Sequence, residues 1–184
     1  VFYPDGGLYT IISSLEKLGS NLGVQYHYNC ETKGISSDNG QATGIELGNG
    51  KIVKADIVIS NADLYHTETS LVSKSDQSYP QSYWDKQQAG PSALLMYLGI
   101  KGKLPKFEHH NLLFVEQWKE NFQDIYVNKK PPTKASIYIC KPSQSDSSVA
   151  PKGDENIFVL VPLPSGINLN ASQQRKLSDH YLEQ

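Results

Sequence analysis

Residues 42–55 run Ala42-Thr43-Gly44-Ile45-Glu46-Leu47-Gly48-Asn49-Gly50-Lys51-Ile52-Val53-Lys54-Ala55 and contain a hairpin signal. The triplet at 48–50 supplies the positive φ angles of a tight turn, and short β-forming runs flank it at 42–47 and 51–55. A second turn signal, Asp38-Asn39-Gly40, lies just upstream. Two tight turns this close together predict an antiparallel β-meander.

A helix and a strand are predicted ahead of the meander. Apolar residues recur at steps of three and four, the period of one helical stripe, at Leu8, Ile11, Ile12, Leu15, Leu18 and Leu22. Between Val24 and Cys30 apolar and polar residues alternate, which predicts a half-buried strand.

The run Ile57-Val58-Ile59 after the meander is continuous and β-branched, and it predicts a strand covered on both faces. It ends at Ser60-Asn61-Ala62-Asp63, small and polar residues that suit a strand-to-helix turn. Asp63 is expected to cap a helix over 64–72.

The second half of the chain has an α+β pattern. Runs of strand length predict four strands, at 93–100, 111–115, 135–140 and 157–162. Helices are predicted over 82–88, over 116–126 and from Ala171 onward. Trp118, Phe122 and Ile125 are expected on one stripe of the 116–126 helix. On the last helix Leu177 and Tyr181 are expected inward, with His180 as a further candidate.

Composition excludes several classes of protein. The 184 residues carry a net charge of −2 and no apolar run near the roughly 20 residues that a bilayer crossing needs. Arg175 is the only arginine, so no guanidinium cluster can grip phosphates, and nucleic acid is not expected as a partner.

The cysteines and the chain start bear on the compartment. Cys30 and Cys140 stand far apart and outside any CxxC pattern, which favours two buried thiols in a reducing compartment, with one disulfide as the alternative. The opening Val1-Phe2-Tyr3 has no initiator Met, basic region or apolar region. It predicts that no signal peptide is present and that the chain is an excised piece of something longer.

The sequence lacks the short motifs that identify several classes of enzyme. No GxxxxGK[ST], GxSxG or HExxH occurs.

His109 and His110 are adjacent and far from other ligands in sequence, so hydrogen-bonded loop histidines are favoured over a zinc site. The Asn170-Ala171-Ser172 sequon is interpreted as a turn and helix cap. Gly6-Gly7, before the first helix, allows either a plain loop or close backbone approach to a flat ligand.

Taken together, the motifs resemble the carotenoid desaturases, the family of phytoene and dehydrosqualene (diapophytoene) desaturases. The resemblance spans nearly the whole chain. It is carried by Tyr3-Pro4-Asp5-Gly6-Gly7, Leu22-Gly23-Val24, Asn29-Cys30-Glu31-Thr32, residues 42–47 and 55–63, Leu95-Met96-Tyr97-Leu98-Gly99, residues 109–114, Ile137-Tyr138-Ile139-Cys140-Lys141-Pro142 and residues 148–153.

The resemblance implies a flavoprotein of the amine oxidase superfamily. The family's GxGxxG segment and its C-terminal flavin motif have no match here, so the chain resembles the middle of the enzyme. Residues 1–63 would supply the β-meander of an FAD-binding domain and the lobe junction. Residues 64–184 would form most of a mixed-sheet substrate-binding lobe flanked by helices.

By the same resemblance, FAD is the expected cofactor, and six residues are expected to lie near it: Gly6, Gly7, Glu31, Thr32, Asn61 and Ala62. No metal is expected, and no catalytic residue is assigned. The aromatic residues of the second half either line an apolar channel or form plain core, and core is favoured for each one singly. They include Tyr83, Trp84, Tyr97, Phe114 and Tyr138.

The expected reaction is dehydrogenation of a long apolar polyene precursor, with a hydride passing to the flavin. A water-insoluble substrate implies a cytoplasmic enzyme that touches a membrane peripherally without spanning it. Two alternatives stay open. One is a related flavoprotein that isomerises, oxygenates or saturates polyenes, and the other is a non-catalytic module that binds an apolar ligand.

Overall fold

The computed structural model describes residues 3–184; Val1 and Phe2, which belong to the opening discussed above, lie outside the described residues. The chain forms two compact units, one of Ser20–Gln88 and one of the residues up to Gly19 together with Ala89–Gln184. The proposed assignment of 1–63 to a cofactor domain and 64–184 to a substrate lobe concerns a whole protein and stays a prediction.

The first helix forms as predicted. α1 spans Tyr9–Asn21 and buries none of its residues. Its apolar stripe faces outward, with Leu15 61% and Leu18 55% exposed. No helix in residues 3–184 is both long and apolar enough to cross a bilayer.

The predicted meander is present in the unit of residues 20–88. Strands β1 (Thr32–Asp38), β2 (Gln41–Leu47) and β3 (Ile52–Lys54) pair antiparallel in sequence order. The first turn uses positive φ angles at Asn39 and Gly40, and the second uses one at Gly50. Turn chemistry therefore sets the register of both hairpins.

Two other predicted strands do not form. Residues 24–30 and 57–59 have no ladder partner among the described residues. Val24 is 50% exposed, and Ile57 and Ile59 are 79% and 89% exposed. A strand exists only when a neighbour completes its hydrogen bonds, so alternation or β-branching alone was insufficient here.

Short helices complete this unit. Asp63 caps α2 (Leu64–His66) by accepting a hydrogen bond from the His66 N–H at 3.2 Å, as expected. A π-helical turn at Thr67–Leu71 continues α2, and α3 spans Gln81–Trp84, shorter than the predicted 82–88 helix at its C-terminal end.

All four strands predicted for the second half are present. β4 (Ser92–Ile100), β5 (His110–Leu113), β6 (Ile137–Cys140) and β7 (Glu155–Leu163) form one sheet in the order β4-β7-β6-β5. Every pair among these four strands is antiparallel, and the mixed sheet expected for the whole substrate lobe stays a prediction. Neighbours β5, β6 and β7 follow one another along the chain and turn back without a parallel crossover.

One face of this sheet forms the core. On β6 and β7 alternate residues are buried, including Ile137, Ile139, Val159 and Val161. Tyr181 of α5 (Ala171–Leu182) packs into this core, and Leu177 packs against it, as predicted. Side-chain alternation thus sends one half of each strand into the core and leaves the other half facing away from it.

The helix ends and inward positions agree only in part with expectation. Asn170 and Gln173 form a capping box at the start of α5, which confirms the cap interpretation of the sequon. α4 (Trp118–Gln123), with a π-helical turn at Asp124–Asn128, buries Ile125. Trp118 and Phe122 are 56% and 51% exposed, so the stripe that they share with Ile125 is only partly buried. His180, a candidate for an inward position, is exposed.

A buried ion pair closes one end of the sheet. The Lys141 ammonium lies 3.7 Å from Glu155 Oε2, and both side chains are almost fully buried. The ammonium also donates to the Leu104 carbonyl at 2.9 Å, and Glu155 Oε2 accepts from the Leu104 N–H at 2.9 Å. Each charge therefore has both a counter-ion and a hydrogen bond.

We expect Lys141→Met to lower the free energy of unfolding by about 1–3 kcal/mol, because it leaves the buried Glu155 carboxylate with only the exposed Lys103 ammonium, 3.6 Å from Oε1, as counter-ion. Urea unfolding followed by circular dichroism measures this. Lys152→Met is the matched control, since Lys152 is exposed, and should change stability by less than about 0.5 kcal/mol. Equal effects of the two changes would contradict the assigned role of Lys141.

We expect Gly44→Ala to destabilise the meander by about 1–3 kcal/mol, because a Cβ at Gly44 would collide with the Val53 carbonyl oxygen of the paired strand. Gly99 is a matched strand glycine with open space around its Cβ position. If Gly99→Ala destabilises the chain as much as Gly44→Ala in urea unfolding, the close approach at Gly44 is not what requires glycine.

Candidate functional site

On the second face of the four-stranded sheet, two rows of residues run across the strands, and each row takes one residue from every strand. Paired residues share a face, so the register defines both rows. We call this surface the open face; its rows are Tyr97-Phe158-Cys140-His110 and Leu95-Leu160-Tyr138-Leu112.

The open face is apolar and accessible. Tyr97 is 76% and Leu112 61% exposed, whereas the opposite face is core. The Phe158 ring lies 5.2 Å from that of Tyr97 and 6.3 Å from that of Tyr138, measured between centroids. Tyr97, and also Phe114 at 78% exposure, are therefore not core residues, contrary to the interpretation favoured for each singly.

A cavity of about 560 Å³ lies over the open face and is lined by residues from all four strands. We call it the corner cavity. Its apolar wall is formed by Tyr3, Leu8, Tyr97, Tyr138, Pro142 and Phe158. Its polar wall is formed by His109, His110, Cys140 and Ser145. An apolar cavity with a few convergent polar groups is the usual form of a small-molecule site.

Both histidines of the polar wall are hydrogen-bonded, as expected, but His110 belongs to strand β5 and not to a loop. His109 Nδ1 lies 2.6 Å from Ser145 Oγ, and His110 Nδ1 lies 2.7 Å from the Tyr138 hydroxyl. Burial, and then the charge of His110, lower the pKa of His109. Burial, and then the adjoining Cys140 thiol, raise the pKa of Tyr138 to about 12. These groups therefore favour their neutral forms.

The sequence patterns did not predict that Cys140 lies close to the two histidines. A ring nitrogen of His109, a ring nitrogen of His110 and Cys140 Sγ all lie within 4.8 Å of one another. Cys140 is the direct cross-strand partner of His110. The residues stand thirty positions apart, and only the β5–β6 register brings them together, which no local pattern reports.

Gly6 and Gly7, predicted near a cofactor, precede α1. Gly7 is buried, its N–H donates to the Pro4 carbonyl at 3.0 Å, and its carbonyl accepts from Thr10 Oγ1 at 2.7 Å. Gly6 is exposed, with φ of 81°. Positive φ at both positions explains the glycines locally, and the exposed Gly6 backbone is the part open to a ligand.

The other four predicted residues lie in the unit of residues 20–88. Thr32 begins β1, and the Glu31 carbonyl accepts from the Gly48 N–H at 2.7 Å, leaving the Glu31 side chain exposed. Asn61 and Ala62 lie exposed in the extended segment before α2. Within residues 3–184 no hydrogen bond joins one pair to the other, but exposed backbone groups and a carboxylate suit the polar atoms of a dinucleotide.

The sequence matches a known family over most of its length. Residues 1–176 match the model described as flavin containing amine oxidoreductase. A carotenoid 3,4-desaturase of Haloarcula japonica is 38% identical over 168 residues, which are 91% of this chain and 34% of that protein. A zeta-carotene-forming phytoene desaturase of Myxococcus xanthus is 35% identical over 164 residues, 89% of this chain and 31% of that protein.

The resemblance to carotenoid desaturases is thereby confirmed, and the chain spans about a third of the length of these relatives. The crystal structure of an oxidoreductase from Methanosarcina mazei superimposes with a TM-score of 0.60 at 21% identity, covering 96% of this chain and 36% of that chain. This likeness concerns the fold alone, and it confirms the α+β class.

We expect Cys30 to react with iodoacetamide several-fold faster than Cys140 in the folded chain, because Cys30 is exposed and Cys140 is half-buried. Mass spectrometry of tryptic peptides measures both rates in one sample. Urea provides the control, since unfolding should bring the two rates together. Equal rates in the folded chain would contradict the placement of Cys140.

Proposed function

The chain belongs to the flavin containing amine oxidoreductase family, and on that premise we propose that it is the central part of an FAD-dependent carotenoid desaturase. Its similarity to a carotenoid 3,4-desaturase and to phytoene desaturases supports this activity. Since the chain spans about a third of such relatives, the proposal concerns the whole protein of which this chain is part.

The observation that carries the proposal is the open face. A polyene precursor has no charged group, so its site needs apolar area and shape rather than a catalytic constellation. Four adjacent strands span roughly 15 Å, so each row of the open face can contact a segment of such a chain. The aromatic rings of Tyr97 and Phe158 offer flat surfaces for that contact.

Desaturation removes two hydrogens from adjacent carbons, and bound FAD supplies the acceptor for the hydride. The described residues contribute by holding the polyene and excluding water from it. Leu95, Leu160 and Leu112 form one uninterrupted apolar row with the Tyr138 ring. A row without charge keeps the substrate aligned along the sheet and leaves the chemistry to the cofactor.

FAD is proposed to contact the chain at the six residues that the resemblance indicates. The Glu31 side chain and the backbone of Thr32 would hold its adenine half, and the exposed backbone of Asn61 and Ala62 would lie nearby. The segment Gly6-Gly7 would face the cofactor through Gly6, because Gly7 is buried.

The intact enzyme is proposed to act in the cytoplasm and to contact a membrane peripherally, because its substrate partitions into lipid. Its partners are then an apolar polyene and a lipid surface rather than nucleic acid. A reducing compartment remains part of this proposal, although the expectation of two buried thiols was wrong for Cys30, which is exposed.

The test uses the intact protein that contains this chain, purified with its flavin and supplied with phytoene or dehydrosqualene in lipid vesicles. We expect a flavin absorbance spectrum and products with a lengthened chromophore, each new double bond lowering the mass by two hydrogens. Leu95→Asp and Tyr97→Asp should slow product formation at least about 10-fold, since a carboxylate on the open face disfavours an apolar substrate by more than about 1.4 kcal/mol.

Val127→Asp is the matched control, since Val127 is 70% exposed, lies in the turn after α4 and belongs to neither row of the open face. It should leave both rate and flavin spectrum unchanged. Other products would reject desaturation: an unchanged mass indicates an isomerase, an added oxygen an oxygenase, and added hydrogens a saturase. Binding without conversion would indicate an apolar-ligand module.

A further inference from the structure

The polar wall of the corner cavity brings together three side chains that bind metals in other proteins. One ring nitrogen from His109, one from His110 and Sγ of Cys140 lie within 4.8 Å of one another. From this geometry we propose that His109, His110 and Cys140 bind a single zinc ion. This site goes beyond the proposed desaturase activity and does not depend on it.

The donor set suits zinc. Imidazole nitrogen and thiolate sulfur bind zinc at about 2.0–2.1 and 2.3 Å, so the donor atoms of a tetrahedral site lie roughly 3.5 Å apart. Drawing the three atoms together from 4.8 Å or less requires side-chain rotation of about 1 Å. His110 is exposed and Cys140 half-buried, so both have room to rotate.

The backbone holds the three ligands in place. His110 and Cys140 face one another across β5 and β6. The His109 carbonyl accepts from the Lys141 N–H at 2.8 Å, and the Lys141 side chain is fixed by its buried pairing with Glu155. A preformed backbone lowers the entropy cost of gathering the ligands.

Each of the two imidazole rings has a hydrogen-bond partner that can hold it in place. His109 Nδ1 is engaged by Ser145 Oγ and His110 Nδ1 by the Tyr138 hydroxyl. When the Nδ1–H donates in this way, Nε2 keeps the lone pair with which a histidine can bind a metal. Ser145 and Tyr138 therefore act as positioning residues for the two rings.

The surroundings strengthen the site. The Tyr3 ring meets the His109 ring edge-on at 5.1 Å between centroids, and Phe158 lines the same cavity. Such apolar neighbours reduce competition from water for the ion. Coordination replaces the thiol proton of Cys140, which passes to solvent, and three protein ligands leave a fourth position of the tetrahedron facing the cavity for water.

The experiment titrates Zn²⁺ into the reduced, metal-stripped full chain in competition with a chromophoric chelator, and repeats the titration with Co²⁺. We expect one ion per chain and a cobalt spectrum with a thiolate-to-metal charge-transfer band. Cys140→Ser and His110→Ala should each weaken zinc binding by at least about 10-fold, and Cys140→Ser should abolish the charge-transfer band. Zinc should also slow alkylation of Cys140 while leaving the rate at Cys30 unchanged.

Cys30→Ser and His27→Ala are the matched controls, since both residues are exposed and lie outside the cluster, and both variants should bind zinc as the unaltered chain does. Circular dichroism verifies the fold of every variant. Because Cys140→Ser is nearly isosteric, it separates loss of the ligand from loss of the fold. The proposal is overturned by absence of one-to-one binding, by undiminished binding in Cys140→Ser, or by loss of binding in Cys30→Ser.

Discussion

The buried pairing of Lys141 with Glu155 is the constraint on which the four-stranded sheet depends. Two charges removed from water are tolerable only when each is paired and hydrogen-bonded. The Leu104 backbone supplies a hydrogen bond to each charge, and the exposed Lys103 ammonium also lies 3.6 Å from Glu155 Oε1. The pair therefore fixes where β6 ends and β7 begins. Because the Lys141 N–H also holds the His109 carbonyl, the same constraint positions the corner cavity.

The two faces of the sheet have different roles: one forms the core, and the other is the open face. Alternation along β7 buries Ile157, Val159 and Val161, while Phe158 and Leu160 turn to the other side. A continuous exposed apolar surface in a folded chain marks a site for a ligand or for further polypeptide. The chain belongs to a flavin-containing family and is about a third the length of its relatives. Contact with a ligand and contact with the rest of the polypeptide are therefore both compatible with this surface.

Local chemistry was predictable from the sequence, and long-range pairing was not. The meander was predicted because positive φ at Asn39, Gly40 and Gly50 specifies each hairpin turn within a few residues. The strand predicted over 57–59 failed because a strand needs neighbours, and the described residues supply none. The His110–Cys140 juxtaposition depends on sheet register, which hydrophobic patterns constrain only to a face.

Tyr138 belongs both to the apolar row and to the polar group of residues on the open face. Its ring belongs to the apolar row with Leu95 and Leu112, while its hydroxyl lies 2.7 Å from His110 Nδ1. Burial, and then Cys140, raise the pKa of Tyr138 to about 12, so the phenol keeps its proton throughout the physiological range. A neutral phenol can orient an imidazole without placing charge beside an apolar ligand. Tyr138 can therefore contact an apolar ligand with its ring while its hydroxyl holds the His110 imidazole on the neighbouring strand.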